Sequence, residues 1–288
     1  MKRRWQEWLA LWTIAALVVG ACSMTGNSTV DGTPPTGTSR TGKFVWHDLL
    51  TADAEAAMRF YEGLLGWEFE RTTRLGETYY LARLNGELVG GVVPVRSRER
   101  DRRISQWLGY VSVPSVERAV REVEARGGSV ASGPRDLGAV GRAAIVRDLA
   151  GAPLGLATVA SGDPPDVSMP APGRFFWMEY LASDVSAALA FYHEVVGYSA
   201  ENTSTMAGHY YLLKTDRDRA GLYANPVPES KSVWLPYVRV EDPAALSERV
   251  ADLGGRVLLS PASGVREGSL AIVADPSGAV LALQRYPL

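Results

Sequence analysis

The feature that most constrains the fold of this chain is a long internal repeat. The stretch FVWHDLLTADAEAAMRFYEGLLGW at residues 44–67 returns as FFWMEYLASDVSAALAFYHEVVGY at residues 175–198, with every matched pair 131 positions apart. The later parts also match, now 127 positions apart: Trp107 with Trp234, and Asp148 with Asp275. A pattern that occurs twice in the same order predicts two domains of the same fold.

Each half contains two copies of one unit, a strand followed by a helix and three short strands. In the first unit the capping residue Asp53 and the stop residue Gly66 enclose a helix with one apolar face. That face consists of Ala57, Phe60, Tyr61 and Leu64. Near the C-terminus, Asp242-Pro243 predicts a helix start, and DPSG at residues 275–278 predicts a turn between the last two strands.

The first 21 residues are typical of an export signal. Three cations at residues 2–4 precede the apolar run LALWTIAALVVGA, and small residues come directly before Cys22. Val19-Gly20-Ala21-Cys22 resembles the lipobox of bacterial lipoproteins, in which the cysteine is lipidated. Because Cys22 is the only cysteine, intramolecular disulfides are excluded, and so is thiol catalysis in the folded part of the chain. The alternatives are a plain secreted protein or an uncleaved anchor, although the apolar run is short for a membrane span.

The remaining chain divides into a tether, two domains and a linker. Residues 22–42, rich in Gly, Ser, Thr and Pro, predict a flexible tether. Residues 161–173, SGDPPDVSMPAPG, predict a linker between domains at 43–160 and 174–288. The whole chain has a formal net charge of -2, and residues 1–21 contribute three cations and Glu7, so the remainder carries -4. This acidity argues against a nucleic-acid partner.

The combined motifs resemble a known superfamily. The capping Asp, the Phe-Tyr pairs at 60–61 and 191–192, the glycine at the helix exit, and the later Gly-Gly and DPSG are similar to those of vicinal oxygen chelate proteins. These include glyoxalase I, extradiol dioxygenases and bleomycin resistance proteins. The resemblance implies an α+β fold of two tandem domains, each of two βαβββ modules that form a curved sheet around a cavity. It implies no single activity, because the scaffold hosts enzymes and drug-binding proteins alike.

The metal ligands of this superfamily are His, Glu or Gln residues on the first and last strands of the modules. Counted from the Phe-Tyr pairs, these positions fall on residues without ligand atoms: Trp46, Leu108, Gly155, Trp177, Leu235 and Ala282. His47 is the one weak metal candidate, but adjacent strand residues face opposite sides of a sheet, so we expect it to point away. His193 and His209 are expected at exposed or loop positions. We therefore expect no metal cofactor.

Aromatic and acidic side chains recur where metal ligands do not. Tryptophan walls beside a carboxylate suit a flat or cationic ligand, through ring stacking and cation attraction. The alternative is that these residues pack in the core, with each acid paired internally. The predicted ligand-binding residues are Trp46, Asp48, Tyr80 and Trp107 in the first half, and Trp177, Glu179, Tyr211 and Trp234 in the second.

Two functional hypotheses follow from these observations. The first is a metal-free protein that binds a small aromatic or cationic molecule and is held by the lipid on Cys22 outside the cell membrane or in the periplasm. The second is a metal-dependent lyase or dioxygenase with a displaced metal site near His47 and Asp48. No catalytic residue is predicted, and both a monomer of two pseudo-symmetric domains and a homodimer remain open.

Overall fold

A computed structural model describes residues 36–95, 105–205, 208–227 and 229–287. The predicted signal sequence, Cys22 and the tether up to residue 35 lie outside these ranges. The described residues form two eight-stranded mixed sheets, one for each half of the chain. The predicted α+β architecture, with two domains of two βαβββ modules each, is confirmed.

The first half contains eight strands and two helices. The strands are β1 (Phe44–Thr51), β2 (Glu68–Arg74), β3 (Glu77–Leu84), β4 (Glu87–Pro94), β5 (Ser105–Ser112), β6 (Ser129–Asp136), β7 (Gly141–Arg147) and β8 (Pro153–Val159). The helices are α1 (Ala54–Leu65) and α2 (Val116–Ala125), and a short 3-10 turn covers Gly138–Val140.

The second half repeats this order. The strands are β9 (Phe175–Ala182), β10 (Ser199–Thr205), β11 (Gly208–Lys214), β12 (Asp218–Ala224), β13 (Val233–Val240), β14 (Arg256–Leu259), β15 (Leu270–Ala274) and β16 (Val280–Arg285). The helices are α3 (Val185–Val196) and α4 (Pro243–Val250), and a 3-10 turn covers Arg266–Gly268.

The helix boundaries follow the capping signals in the sequence. The Asp53 carboxylate accepts a hydrogen bond from the Ala56 backbone N–H, and Gly66 ends α1 in the left-handed conformation, with φ 71°. Left-handed backbone favours glycine, which has no Cβ to clash. Asp242 accepts from two backbone N–H groups at the start of α4. These predicted helix limits are confirmed, as is the 275–278 turn between β15 and β16.

In each sheet the first strand of each module lies at the centre. The order is β2-β3-β4-β1-β5-β8-β7-β6 in the first half and β10-β11-β12-β9-β13-β16-β15-β14 in the second. β1 pairs antiparallel with β5 and parallel with β4, and β9 has the same relation to β13 and β12. Side chains on one face of these central strands therefore come from both modules of a half.

The helices lie between the two sheets, where α1 contacts α4 and α2 contacts α3. Each of the two large apolar cores contains residues from both halves: one joins Phe60 and Tyr61 to Val238 and Val250, and the other joins α2 to α3. We call the sheet face toward the helices the inner face and the opposite face the outer face. Since the cores are shared, burial of apolar side chains holds the halves together.

Two chains of polar groups cross the same interface. In one, the Trp234 Nε1–H donates to Tyr192 Oη at 2.8 Å, and Tyr192 donates to Asp148 of the first half at 2.7 Å. Tyr180 also donates to Asp148, at 2.5 Å. In the other, the Trp107 Nε1–H donates to Tyr61 Oη at 2.9 Å. The pKa of the Tyr61 hydroxyl is raised, mainly by burial and also by the charge of Asp275 in the second half. The recurring Phe-Tyr pair is therefore part of the interdomain contact.

The end of the predicted tether is not free. The Arg40 backbone N–H donates to Asp163 Oδ2 at 2.5 Å, and Thr36 Oγ1 donates to the Asp163 carbonyl at 2.9 Å. Asp163 is buried, and Ser112 Oγ also donates to its Oδ2, at 2.6 Å. The last residues of the predicted tether, from Thr36 to Arg40, are thus hydrogen-bonded to the linker at Asp163. No helix among the described residues is both long and apolar enough to cross a membrane.

Candidate ligand-binding site

The outer face of each sheet carries a buried acid at its centre. On β1, Asp48 lies beside Gly91 of β4 and Leu108 of β5, and Trp46 lies beside Tyr110 of β5. Trp46 and Asp48 are two residues apart and so share a face, as predicted. The carboxylate of Asp48 is almost fully buried, at 3% exposure.

We call Trp46, Asp48, Tyr79 and Tyr110 the first acidic cluster. The Tyr79 hydroxyl donates to Asp48 Oδ1 at 2.6 Å, and the Trp46 Nε1–H donates to the same oxygen at 2.8 Å. Among the described residues, Asp48 forms no ion pair. Both of these hydrogen bonds end on Oδ1, and the Tyr110 hydroxyl is a further hydrogen-bond partner of the Asp48 carboxylate.

The tyrosines of this cluster act as neutral donors. Burial raises the pKa of the Tyr79 and Tyr110 hydroxyls well above its usual value, and the nearby Asp48 carboxylate raises it further. The Arg74 guanidinium carbon lies 4.1 Å from the centroid of the Tyr79 ring, on which it forms a cation–π contact. The cluster thus combines a carboxylate, two hydroxyls and aromatic surface.

A glycine makes room for this arrangement in each half. A Cβ on Gly91 would lie 1.8 Å from Tyr79 Oη, and a Cβ on Gly221 would lie 1.9 Å from Tyr210 Oη. Such distances are far inside van der Waals contact, so any larger residue would displace the hydroxyl from the acid. The space that Gly91 on β4 and Gly221 on β12 leave for the tyrosine hydroxyls is therefore part of the site.

We call Trp177, Glu179, Tyr210, Tyr237 and Arg266 the second acidic cluster. Tyr210 Oη donates to Glu179 Oε1 at 2.8 Å and accepts from Trp177 Nε1 at 3.1 Å. Tyr237 donates to Glu179 Oε2, and Arg266 Nη2 donates to Oε1. Glu179 is fully buried and is neutralised by this arginine. Among the described residues, the two acidic clusters thus differ in that only the second acid forms an ion pair, since Arg74 contacts the Tyr79 ring and not the Asp48 carboxylate.

Four predicted site residues lie on the wrong face for this site. Trp107 and Trp234 are buried at the inner face, where their indole N–H groups bond to Tyr61 and Tyr192. Tyr80 and Tyr211 also pack against the interdomain cores. These four residues therefore do not lie beside Trp46 and Trp177, because each is one position along its strand from the residue that faces outward.

His47 lies on the inner face, as its position next to Trp46 predicts. Its ring stacks on Phe175 of the second half, with centroids 4.0 Å apart, and burial lowers its pKa to about 3. Its Nε2 has no hydrogen-bond partner among the described residues. His193 and His209 are exposed, as predicted, and their ring nitrogens lie near the Tyr198 carbonyl and Asn202. None of these histidines reaches an acidic cluster.

The described residues do not fit a divalent metal. Protein sites for such metals use several His, Cys or carboxylate ligands around one point. Among the described residues, no group of three or more His, Cys, Asp or Glu side chains could hold a metal ion. Indole, phenol and a single carboxylate occupy the outer face of the first half instead.

Sequence reasoning missed the tyrosines that bond to the acids, although the repeat contains them. Tyr79 and Tyr210 are 131 positions apart, and Tyr110 and Tyr237 are 127 apart, the same spacings as the recognised pairs. Arg266 had no such signal, because its counterpart 127 positions earlier is Ala139. The repeat could therefore have identified the hydroxyl donors but not the arginine.

Comparison with known proteins agrees with this architecture. A family model described as "Glyoxalase/Bleomycin resistance protein/Dioxygenase superfamily" matches residues 43–156, and one described as "Glyoxalase-like domain" matches residues 176–283. "Putative glyoxylase CFP32" of Mycobacterium bovis is 32% identical over 248 residues, which cover 85% of this chain and 95% of the relative. "Anthracycline biosynthesis protein DauV" of Streptomyces sp. strain C5 is 25% identical, with 83% and 91% covered.

Solved structures show the same fold. The Mn(II)-bound glyoxalase from Novosphingobium aromaticivorans aligns with a TM-score of 0.58 at 15% identity, covering 86% of this chain and 83% of that protein. The 2,2',3-trihydroxybiphenyl 1,2-dioxygenase from Sphingomonas wittichii aligns with a TM-score of 0.57 at 14% identity, covering 85% and 91%. The sequence relatives, both family models and the fold together place this chain in the glyoxalase/bleomycin resistance/dioxygenase, or vicinal oxygen chelate, superfamily, as two tandem domains.

Proposed function

We propose that this protein binds a small aromatic molecule with a positive charge, at the first acidic cluster and without a metal. We further propose that it is exported and held at the membrane by a lipid on Cys22. The observation that carries the binding site is the contrast between the halves: Glu179 is paired with Arg266, whereas Asp48 has no cationic partner among the described residues.

The physical argument concerns the cost of a buried charge. A carboxylate removed from water is costly unless hydrogen bonds and an opposite charge compensate for it. Tyr79, Trp46 and Tyr110 supply hydrogen bonds to Asp48 but no charge. A cationic ligand would supply the charge, and the half-buried ring of Trp46 offers a surface on which an aromatic group can stack.

Similarity to the Streptomyces relatives supports an aromatic ligand. Their names connect DauV and DnrV with anthracycline biosynthesis, and DnrV of Streptomyces peucetius is 27% identical over 252 residues. Anthracyclines contain fused aromatic rings, and those with an amino sugar are cations at neutral pH. This chemistry combines the two properties for which the first acidic cluster is suited.

A metal-dependent lyase or dioxygenase with a displaced metal site is the second candidate. It is favoured by relatives described as glyoxylases and by fold neighbours that include a Mn(II)-bound glyoxalase. Against it, the positions implied for the metal ligands in the first half hold Trp46, Leu108 and Gly155. The only nearby pair, His47 and Asp48, points to opposite faces of β1.

Calorimetry on residues 36–288 tests the proposed site. The ligands are an anthracycline with a free amino sugar and its N-acetylated form, which keeps the rings but removes the charge. We expect the amine to bind more tightly than the neutral form, and Asp48→Asn to weaken amine binding about tenfold to a hundredfold, as for hydrogen bonds to charged groups. Asparagine still accepts hydrogen bonds, so the melting temperature is expected to change little.

A matched pair of tryptophan variants controls for loss of structure. Trp46→Phe changes the outer face and should weaken binding of both ligands. Trp107→Phe removes the hydrogen bond to Tyr61 on the inner face and should lower stability without changing affinity. The proposed site is wrong if Asp48→Asn lowers the melting temperature and leaves amine binding unchanged, because Asp48 would then be paired internally.

A further inference from the structure

Arg266 makes three kinds of contact in the second acidic cluster. Its Nη2 donates to Glu179, its Nη1 donates to Gln284 Oε1 at 3.1 Å, and its Cζ lies 5.4 Å from the centroid of the Tyr237 ring. A carboxylate, an amide oxygen and an aromatic face are the groups by which proteins recognise a planar cation. The guanidinium is thus held as a bound ligand would be.

The backbone that presents this side chain is unusual. Arg266 and Glu267 have φ values of 45° and 54°, in the left-handed region that non-glycine residues rarely adopt. The Ser269 side chain donates to the Arg266 carbonyl at 2.6 Å and fastens the turn. Consecutive residues in this region carry a conformational cost, and such cost is found where a side chain must be held in a particular place.

The first half lacks both elements of this arrangement. At the spacing of 127 positions, Arg266 corresponds to Ala139 and Gln284 to Ala157. The strand register supports the second match, because Ser112 pairs with Ala157 as Arg239 pairs with Gln284. The buried acid and its tyrosines occur in both halves, whereas among the described residues an arginine pairs with the acid in the second half only.

We propose that the second acidic cluster is a binding site for a guanidinium-type cation, which the protein's own Arg266 fills. Removal of this arginine would leave Glu179, Tyr210, Tyr237 and Gln284 as a site for a free guanidinium or amidinium group. This proposal rests on the proposed function in one respect. It names guanidinium or amidinium as the class of cation that Asp48, the equivalent acid of the first half, would bind in a ligand.

The test uses Arg266→Ala and methylguanidinium chloride as the probe. Thermal unfolding is followed at rising concentrations of probe, with sodium chloride and neutral methylurea as parallel additions. We expect a saturable rise in melting temperature for Arg266→Ala, with affinity at least about tenfold higher than for the wild type, because the vacated carboxylate offers a charged hydrogen bond. Adding Glu179→Gln to the variant should abolish this rise.

Arg174→Ala serves as the matched control, because it removes an arginine that pairs with an exposed acid, Glu87, outside the cluster. It should show no gain of probe binding. Arg266→Gln is a second variant, which fills more of the space and is used if Arg266→Ala does not fold. Recovery of folded Arg266→Ala only in the presence of the probe would also support the proposal.

Several results would overturn the proposal of a guanidinium site in the second acidic cluster. The proposal fails if folded Arg266→Ala and Arg266→Gln bind methylguanidinium no better than the wild type, or if binding persists after Glu179→Gln. It also fails if neither variant folds with or without the probe, since Arg266 would then be purely structural. These outcomes are separate from those of Asp48→Asn, which reports on the first half of the protein alone.

Discussion

At the scale of single residues, the outer faces differ in how each acid is compensated. Asp48 and Glu179 both accept a tyrosine hydroxyl, and a glycine on the adjacent strand makes space for that hydroxyl in each half. Only Glu179 has an arginine among the described residues. A guanidinium within the chain removes the need for an external cation, so the first half is the better candidate for ligand binding.

His47 is the other buried titratable residue of β1. Its ring lies between the halves against Phe175, and no residue that the structure describes forms a hydrogen bond with its Nε2. Burial lowers its pKa from 6.5 to about 3, so the folded protein keeps it neutral at pH values where the unfolded chain protonates it. This side chain should therefore make the fold sensitive to acid.

We predict that the free energy of unfolding falls as the pH drops from about 6.5 towards 3. The unfolded state binds a proton on His47 throughout this range and the folded state does not, which costs about 2 kcal/mol between pH 7 and pH 5. His47→Phe keeps the ring stacking and should remove this part of the loss. Urea unfolding of both proteins at pH 5 and pH 7 measures the difference, and equal pH dependence would contradict the assignment.

At the scale of helices and strands, the sequence predicted the order and limits of most elements. Helix caps such as Asp53 and Gly66 act through local backbone geometry, so they can be recognised without the tertiary structure. The repeat then predicted two equivalent halves. The orientation of strand residues depends on which neighbours cover each face, and that is a tertiary property.

The predicted site combined residues from both faces of the sheets, because the orientation of strand residues could not be read from the sequence. On β3, Tyr79 and Tyr80 are both tyrosines and both recur 131 positions later, so the repeat does not distinguish them. Leu108 lies beside Asp48 on the outer face, so Trp107, its neighbour in sequence, must face inward. The position of Arg266 depends on a turn with left-handed backbone at non-glycine residues, which composition does not indicate.

At the same scale, the hydrogen-bond chain from Trp234 through Tyr192 to Asp148 should stabilise the interface between the halves. Tyr192→Phe removes the bond to the Asp148 carboxylate and leaves the buried Trp234 N–H without its acceptor. We expect a loss of about 2 to 3 kcal/mol in the free energy of unfolding.

The control is Tyr211→Phe, on the neighbouring part of the same core. Its hydroxyl forms no hydrogen bond to any described residue, so we expect a change within about 0.5 kcal/mol. Denaturant unfolding compares the two variants with the wild type. Similar losses for both would mean that general packing, rather than the chain of hydrogen bonds, is responsible.

At the scale of the whole molecule, the two sheets enclose their helices and present their outer faces in different directions. Each large core contains residues of both halves, so we expect the halves to unfold together rather than independently. The two acidic clusters are separate sites on one body, which allows one to bind a ligand while the other is filled by the protein itself.

The lipid anchor is a prediction about Cys22, which lies outside the described residues. We expect the mature protein to partition into detergent, and Cys22→Ser to release it or block its maturation, because the serine cannot form the thioether. Phase separation of cell extracts in a detergent that clouds on warming measures this. Wild-type membrane retention of the serine variant would contradict the anchor, and residues 5–21 would then have to hold the protein themselves.

The central claim is that these outer faces are organised around carboxylates held by hydroxyl, indole and guanidinium donors, rather than around a metal. Elemental analysis of residues 36–288, purified without chelator, tests this most directly. We predict a transition-metal content far below one per chain, unchanged by Asp48→Asn or His47→Ala. One tightly held metal per domain, lost in either variant, would contradict the claim and favour the metalloenzyme.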